Sequence, residues 1–195
     1  VILDNPSIGI VLTEILYQTT TAAHTVANTV ESAFYIPGYG MQTAAATLTG
    51  NSLGANDEKR LHDVSRLLLI VEVALMILSG GLLFVLAPDM VSIFSKDTQV
   101  ILLGATILRM VALSEPFFGV SIIVEGMLLG VGKTRAPFVY NIIGMWCVRI
   151  VGTFLCTQIL GFGLVSAWAC MIAHNLLVFL LYLIAYSRGS WNPLR

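Results

Sequence analysis

Between Leu67 and Leu86 the chain runs for twenty residues with a single ionisable side chain, Glu72. Coiled as a helix at about 1.5 Å per residue, such a run reaches roughly 30 Å, the thickness of a bilayer's hydrocarbon core. Lipid offers backbone amides no partners, so a run of this kind must satisfy its hydrogen bonds internally and cross as a helix. Composition agrees. Only 11% of the residues are charged and 57% are hydrophobic, whereas soluble domains carry about 25% charged residues. The net charge of −1 gives no bulk attraction for nucleic acid or for acidic substrates.

The other apolar runs extend this pattern. Five complete spans are expected, at about 23–49, 66–87, 100–129, 136–160 and 163–186, preceded by a run at about 8–20 that is too short to span. The fold class is therefore all-α, a polytopic transmembrane helix bundle. The chain opens on Val1, with neither a basic leader nor a cleavage site. The expectation is a fragment whose first helix is truncated.

The loops orient the bundle. Alternate connections carry Lys59, Arg60 and Arg66, then Lys133 and Arg135, then Arg188 and Arg195, while the intervening ones carry Lys96 or no base at all. By the positive-inside rule the basic side is cytoplasmic, which places the C-terminus there, in a multi-pass protein of the cell (inner or plasma) membrane.

Soluble-enzyme chemistry finds no foothold. Gly132-Lys133-Thr134 ends like a P-loop, but that pattern requires glycine where Met127 stands, between a strand and a helix. Cys147, Cys156 and Cys170 lie in apolar spans without metal-ligand spacing, and Cys147 and Cys156 face opposite sides of one helix. His24, His62 and His174 belong to different elements, so no nucleophile–histidine–acid set assembles. No enzyme activity, cofactor or dedicated metal site is expected.

The informative residues are polar groups inside the spans. His24, Asn28, Glu31 and Tyr35 lie at offsets of 4, 7 and 11, which places them within roughly 60° on one helix face. That face should line a protein interior or a wet cavity. Glu14, Glu31, Glu72, Glu115 and Glu125 fall in or at the edge of apolar runs. A carboxylate there must be protonated, paired, hydrated or bound to a cation such as Na⁺ or H⁺. Glu31, Glu14 and Glu115 are the candidates for ion coupling, the last because Pro116 beside it frees backbone carbonyls. Arg109 is read as a partner for one of these acids across helices and, with His24, Asn28, Tyr35, Tyr140 and Asn141, as a residue of the substrate cavity. Glu125 is read as a gate or loop partner, and Glu72 as a side chain that snorkels or pairs locally. Tyr35, Tyr140 and Asn141 can contact a cationic aromatic molecule by stacking and cation–π attraction.

Several segments carry a family resemblance. Ala22-Ala23-His24, Glu31-Ser32, Ile36-Pro37-Gly38-Tyr39-Gly40, Ala44-Ala45-Ala46-Thr47-Leu48 and Gly50-Asn51-Ser52-Leu53-Gly54-Ala55 resemble the eighth helix of a multidrug and toxic compound extrusion (MATE) transporter. Glu115-Pro116 and the stretch Gly126-Met127-Leu128-Leu129-Gly130-Val131-Gly132-Lys133-Thr134-Arg135-Ala136-Pro137 resemble the tenth helix and the loop after it. The resemblance covers essentially the whole chain, as the C-terminal six-helix lobe of a two-lobe transporter. It implies export of cationic or amphipathic drugs in exchange for Na⁺ or H⁺ by alternating access, with the N-terminal lobe as a missing partner. It also implies a seventh-helix acid at Glu14 and a tenth-helix acid about one turn after Glu115, near Phe118. A lipid-linked oligosaccharide flippase of the same superfamily is the alternative, and it should show a cavity rich in basic residues. In this chain only Arg109 and Arg149 are available for that.

Overall fold

A computed structural model describes residues 6–194 of the chain, with side chains described from residue 14 onward. Among these residues every regular element is helical. Helix α1 spans Pro6–Gly54, α2 Glu58–Phe94 and α3 Thr98–Gly130. A fourth rod follows, built from α4 (Arg135–Ile143), a π-helical stretch Gly144–Ile150, the short α5 (Val151–Phe154) and a second π-helical stretch Leu155–Ile159. Helix α6 (Leu164–Ser187) closes the bundle. By length and composition α2, α3, the fourth rod and α6 can each cross a membrane.

The sequence places a boundary between the short run at 8–20 and the span at 23–49, but the structure has no break there. Thr19, Thr20 and Thr21 join the two segments without a glycine, a proline or a charge to stop the helix. Downstream, the hydroxyls of Thr25 and Thr29 donate to the carbonyls of Thr21 and Thr25, four residues back. Pro37 also fails to interrupt α1. At 49 residues the helix is roughly 70 Å long, more than twice what one crossing requires. Among the described residues its packing against the bundle core begins at about Ala22, and Glu14 to Tyr17 are all exposed.

Helix α3 is the centre of the bundle and packs against α1, α2 and α6. Close approach to α1 rests on small residues. A Cβ at Gly126 would stand 2.5 Å from the Gln42 carbonyl oxygen, and one at Gly130 would run into the Ala46 carbonyl and the Thr49 hydroxyl. These two glycines, four residues apart, bring the helix backbones together in the small-xxx-small manner of membrane helices. Helix α2 turns one narrow seam inward: Leu61, Ser65, Leu68, Glu72, Met76, Gly80, Leu83, Ala87 and Val91.

Prolines within the long helices leave carbonyls without their usual donor, and the bundle covers two of them. The Ala112 carbonyl, four residues before Pro116, lies 2.8 Å from where a Gly80 Cβ would be, so α2 seals it with a bare glycine. The Phe84 carbonyl, four residues before Pro88, accepts from Arg109 Nε at 3.4 Å, and the guanidinium sits 5.7 Å from the Phe84 ring centroid. Arg109 is therefore occupied by a backbone carbonyl and an aromatic ring rather than by an acid.

The three basic connections meet at one end of the bundle. Lys133 Nζ donates to the Ser190 carbonyl, and Asn192 Nδ2 reaches Glu58 Oε1 at 3.4 Å and lies 3.2 Å from His62 Nε2. Trp191 is buried between them, stacked on Tyr186 and edge-on to His62. It works as a latch on that end. Trp191→Ala should cost about 3 kcal/mol or more of stability, read as a lower thermal midpoint in detergent; an unchanged midpoint would remove the latch.

Near the turn between the fourth rod and α6, Cys156 and Cys170 lie with their sulfurs 3.8 Å apart, while Cys147 is exposed and lies nine residues before Cys156. Mild oxidation should protect Cys156 and Cys170 from maleimide labelling together and leave Cys147 reactive. Equal labelling of all three after oxidation would contradict the packing of the π-helical rod against α6.

Candidate ion-binding site

Three carboxyl groups from three helices meet inside the bundle. Glu31 of α1 is 4% exposed, and Glu72 of α2 and Glu115 of α3 are fully buried. The Tyr35 hydroxyl, one turn along α1, donates to Glu31 Oε1 at 2.6 Å. Neither oxygen of Glu72 and neither of Glu115 has a hydrogen-bond partner among the described residues. Glu115 lies within electrostatic range of both Glu31 and Glu72, and the field of Arg149 reaches Glu31.

Glycines make the space. A Cβ on Gly38 would stand 3.3 Å from Glu72 Oε1, and one on Gly119 would stand 3.2 Å from Glu72 Cγ. Gly80 does the same for Glu115, whose Cβ is 3.2 Å from the corresponding position. Gly38 falls on the same face of α1 as Glu31 and Tyr35, and Gly119 lies one turn after Glu115 on α3. Phe118, where the resemblance places the family's acid, instead stacks on Tyr35 at 4.3 Å.

Two cavities open along the same helix α1, and none of the three acids lines either. One is lined by His24 and Asn28 of α1, Arg149 and Thr153 of the fourth rod, and Ala167, Trp168 and Met171 of α6. His24 meets the Trp168 ring edge-on at 5.6 Å. The second is lined by Tyr39, Phe118, Ser121, Ile122, Glu125, Asn141, His174, Asn175 and Val178. There Asn141 Nδ2 donates to Glu125 Oε1 at 3.0 Å, whereas Tyr140 lines neither cavity and packs edge-on against Tyr182. The α1 stripe thus divides: His24 and Asn28 line the first cavity, while Glu31 and Tyr35 belong to the carboxyl cluster.

Several sequence expectations meet a different arrangement. Glu14 is exposed and accepts from Gln18 Nε2 at 3.1 Å; seventeen residues of continuous helix place it about 25 Å from Glu31. Arg109 is exposed, turned toward Phe84 of α2, and lines neither cavity. Glu72 neither snorkels nor pairs locally, because its place in the inward seam of α2 carries it into the core. The signal for Glu72 was present as the recurrence of Ser65, Leu68, Met76 and Gly80 around it at intervals of three and four.

Relatives bear on this arrangement. A probable multidrug resistance protein NorM from Thermotoga maritima is 26% identical over 171 residues, 88% of this chain and 37% of its own length. An uncharacterized transporter, C4B3.13, from Schizosaccharomyces pombe is 28% identical over 165 residues, 84% of this chain and 30% of that protein. The chain thus spans about a third of the relatives it matches. A solved structure described as the inward-facing conformation of a multidrug resistance MATE family transporter of the MOP superfamily aligns with a TM-score of 0.74 at 13% identity. It covers 90% of this chain and 40% of that one, and it shows the shared fold. The MatE family profile matches residues 8–155, and with its membrane-crossing helices in the MATE lobe arrangement the chain belongs to the MatE family of transporters.

Proposed function

We propose that the chain is the C-terminal lobe of a two-lobe antiporter that exports cationic or amphipathic compounds in exchange for Na⁺ or H⁺. The observation that carries this reading is the cluster of Glu31, Glu72 and Glu115, buried on three helices that pack together. Carboxyls in such a place must take up positive charge to remain buried, which is the chemistry an ion-coupled carrier uses. The second cavity combines the Glu125 carboxyl with Tyr39 and Phe118, a surrounding suited to an organic cation through charge and ring contacts.

Exchange follows from shared charge. A small cation in the cluster neutralises the lobe interior; its departure leaves negative charge that favours an organic cation. The two ligands drive opposite steps when each prefers a different conformation. The flippase alternative gains no support from the cavity walls, since Arg149 is the one arginine or lysine lining either cavity. The convergence of the basic connections at one end supports a cytoplasmic C-terminus in the plasma membrane.

The test is dye efflux. The two-lobe protein, expressed in drug-sensitive cells, should lower the accumulation of a fluorescent organic cation, and collapse of the Na⁺ or proton gradient should abolish the difference. Accumulation equal to that of cells lacking the protein, over several cationic dyes, would contradict the reading.

A further inference from the structure

We propose that Glu72 is a direct ligand of the coupling-ion site, completing with Glu115 and Glu31 a three-helix carboxyl site for one small, hard monovalent cation, a proton or Na⁺. This rests on the ion-coupled reading above, which counts Glu72 among the buried acids, and deepens it by making that α2 residue a direct ligand of the ion.

Three observations carry the assignment. Glu72 is fully buried, and neither of its oxygens has a hydrogen-bond partner among the described residues. Glycine replaces a side chain on both helices facing it, Gly38 on α1 and Gly119 on α3, and these bare backbones admit the Glu72 side chain, with Met76, into the contact between helices. Its surroundings are Glu115 of α3, within electrostatic range, together with Phe118 of α3 and Met76 of its own helix, which share the packing site at Gly38. The field of Arg149, an exposed side chain, reaches Glu31.

The charge count follows. Three carboxylates beside one guanidinium leave an excess of negative charge in a low-dielectric interior, where each uncompensated ion costs several kcal/mol. Like charges this close cannot all ionise independently, so protons or cations bind to the group rather than to one residue. The oxygens also divide the work. The Tyr35 hydroxyl holds one oxygen of Glu31, whereas the four oxygens of Glu72 and Glu115 are unengaged and supply a hard cation with oxygen ligands on two helices. Binding there would tie α2 to α3 beside α1, so occupancy would be felt by the packing of the lobe.

The test uses the purified protein in detergent micelles, with Glu72→Gln, Glu72→Asp, Glu31→Gln and Glu115→Gln. Sodium chloride titrations by calorimetry at fixed pH read Na⁺. The infrared C=O stretch of protonated carboxyl groups, followed against pH, reads protons. The expected result is at least about a tenfold weaker cation affinity in Glu72→Gln, with the helical circular dichroism unchanged. Heat from Na⁺ in the wild type assigns Na⁺; a pH-dependent carboxyl band without such heat assigns the proton. If Glu72→Gln fails to fold, Glu72→Asp decides, because a shortened ligand should weaken binding and a bystander should not. Affinity within twofold of wild type in the Glu72 variants, alongside loss in Glu31→Gln or Glu115→Gln, would overturn the role of Glu72 and leave the ion-coupled reading standing. A wild type that takes up neither cation would overturn both.

Discussion

Glu115→Gln should lower dye export by at least about tenfold while leaving the protein as stable as before, or more so. The side chain is fully buried with both oxygens unpartnered, so its charged form is held at a cost that a neutral amide of the same shape escapes. A residue kept for packing would behave oppositely, with stability falling and transport falling in proportion to the folded fraction. Loss of function together with preserved stability is the pattern of a site whose strain serves an activity. The comparison needs two readings on the same preparation: the thermal midpoint in detergent and the export rate per folded molecule. Lower stability with unchanged export per folded molecule would make Glu115 a structural residue.

Gly130→Leu should have an equally large effect by the other route. No space exists for a side chain there, because the backbone of α1 at Ala46 and the Thr49 hydroxyl occupy the position a Cβ would take. Helix association in lipid depends on close packing of just this kind, and a rigid backbone cannot move aside as a long side chain can. The substitution should remove most folded protein from the membrane, through an overpacking cost of about 3 kcal/mol or more. Size-exclusion chromatography after detergent extraction measures it directly. A monodisperse Gly130→Leu protein in normal amount would contradict the α1–α3 contact. Gly132, where a Cβ would meet no neighbour but φ is +78°, is a milder site, where bulk meets backbone preference rather than collision.

Much of this fold was legible in the chain because lipid narrows the options to helices. The spans at 66–87, 100–129, 136–160 and 163–186 lie within or close to α2, α3, the fourth rod and α6. The joint between the first two runs was not legible, since composition falls in hydropathy around Thr19 to Thr21 while nothing in those residues stops a helix. The π-helical stretches were also hidden, because their wider hydrogen bonds, such as Leu160 N to the Leu155 carbonyl, leave no mark in residue spacing.

The site shows the same division. The face shared by Glu31 and Tyr35 follows from helical periodicity alone, and the structure joins these two by a hydrogen bond. The role of Arg109 required knowing that Pro88 on another helix frees the carbonyl it covers. The spacing of Glu72 from Leu68 and Met76 puts it on the inward seam of α2, but only the structure shows that Glu115 lies within reach of it. Pairwise meetings across helices depend on register between elements, and no single element's sequence contains that.

The most direct measurement is counterflow in liposomes containing the two-lobe protein. Vesicles loaded with Na⁺, or with an acidic lumen, are placed in medium carrying a fluorescent organic cation and lacking that gradient's ion. The predicted result is dye accumulation inside above its equilibrium level, collapsing when the driving gradient is dissipated and absent in Glu31→Gln. Dye that reaches the same level with and without either gradient would contradict cation-coupled export.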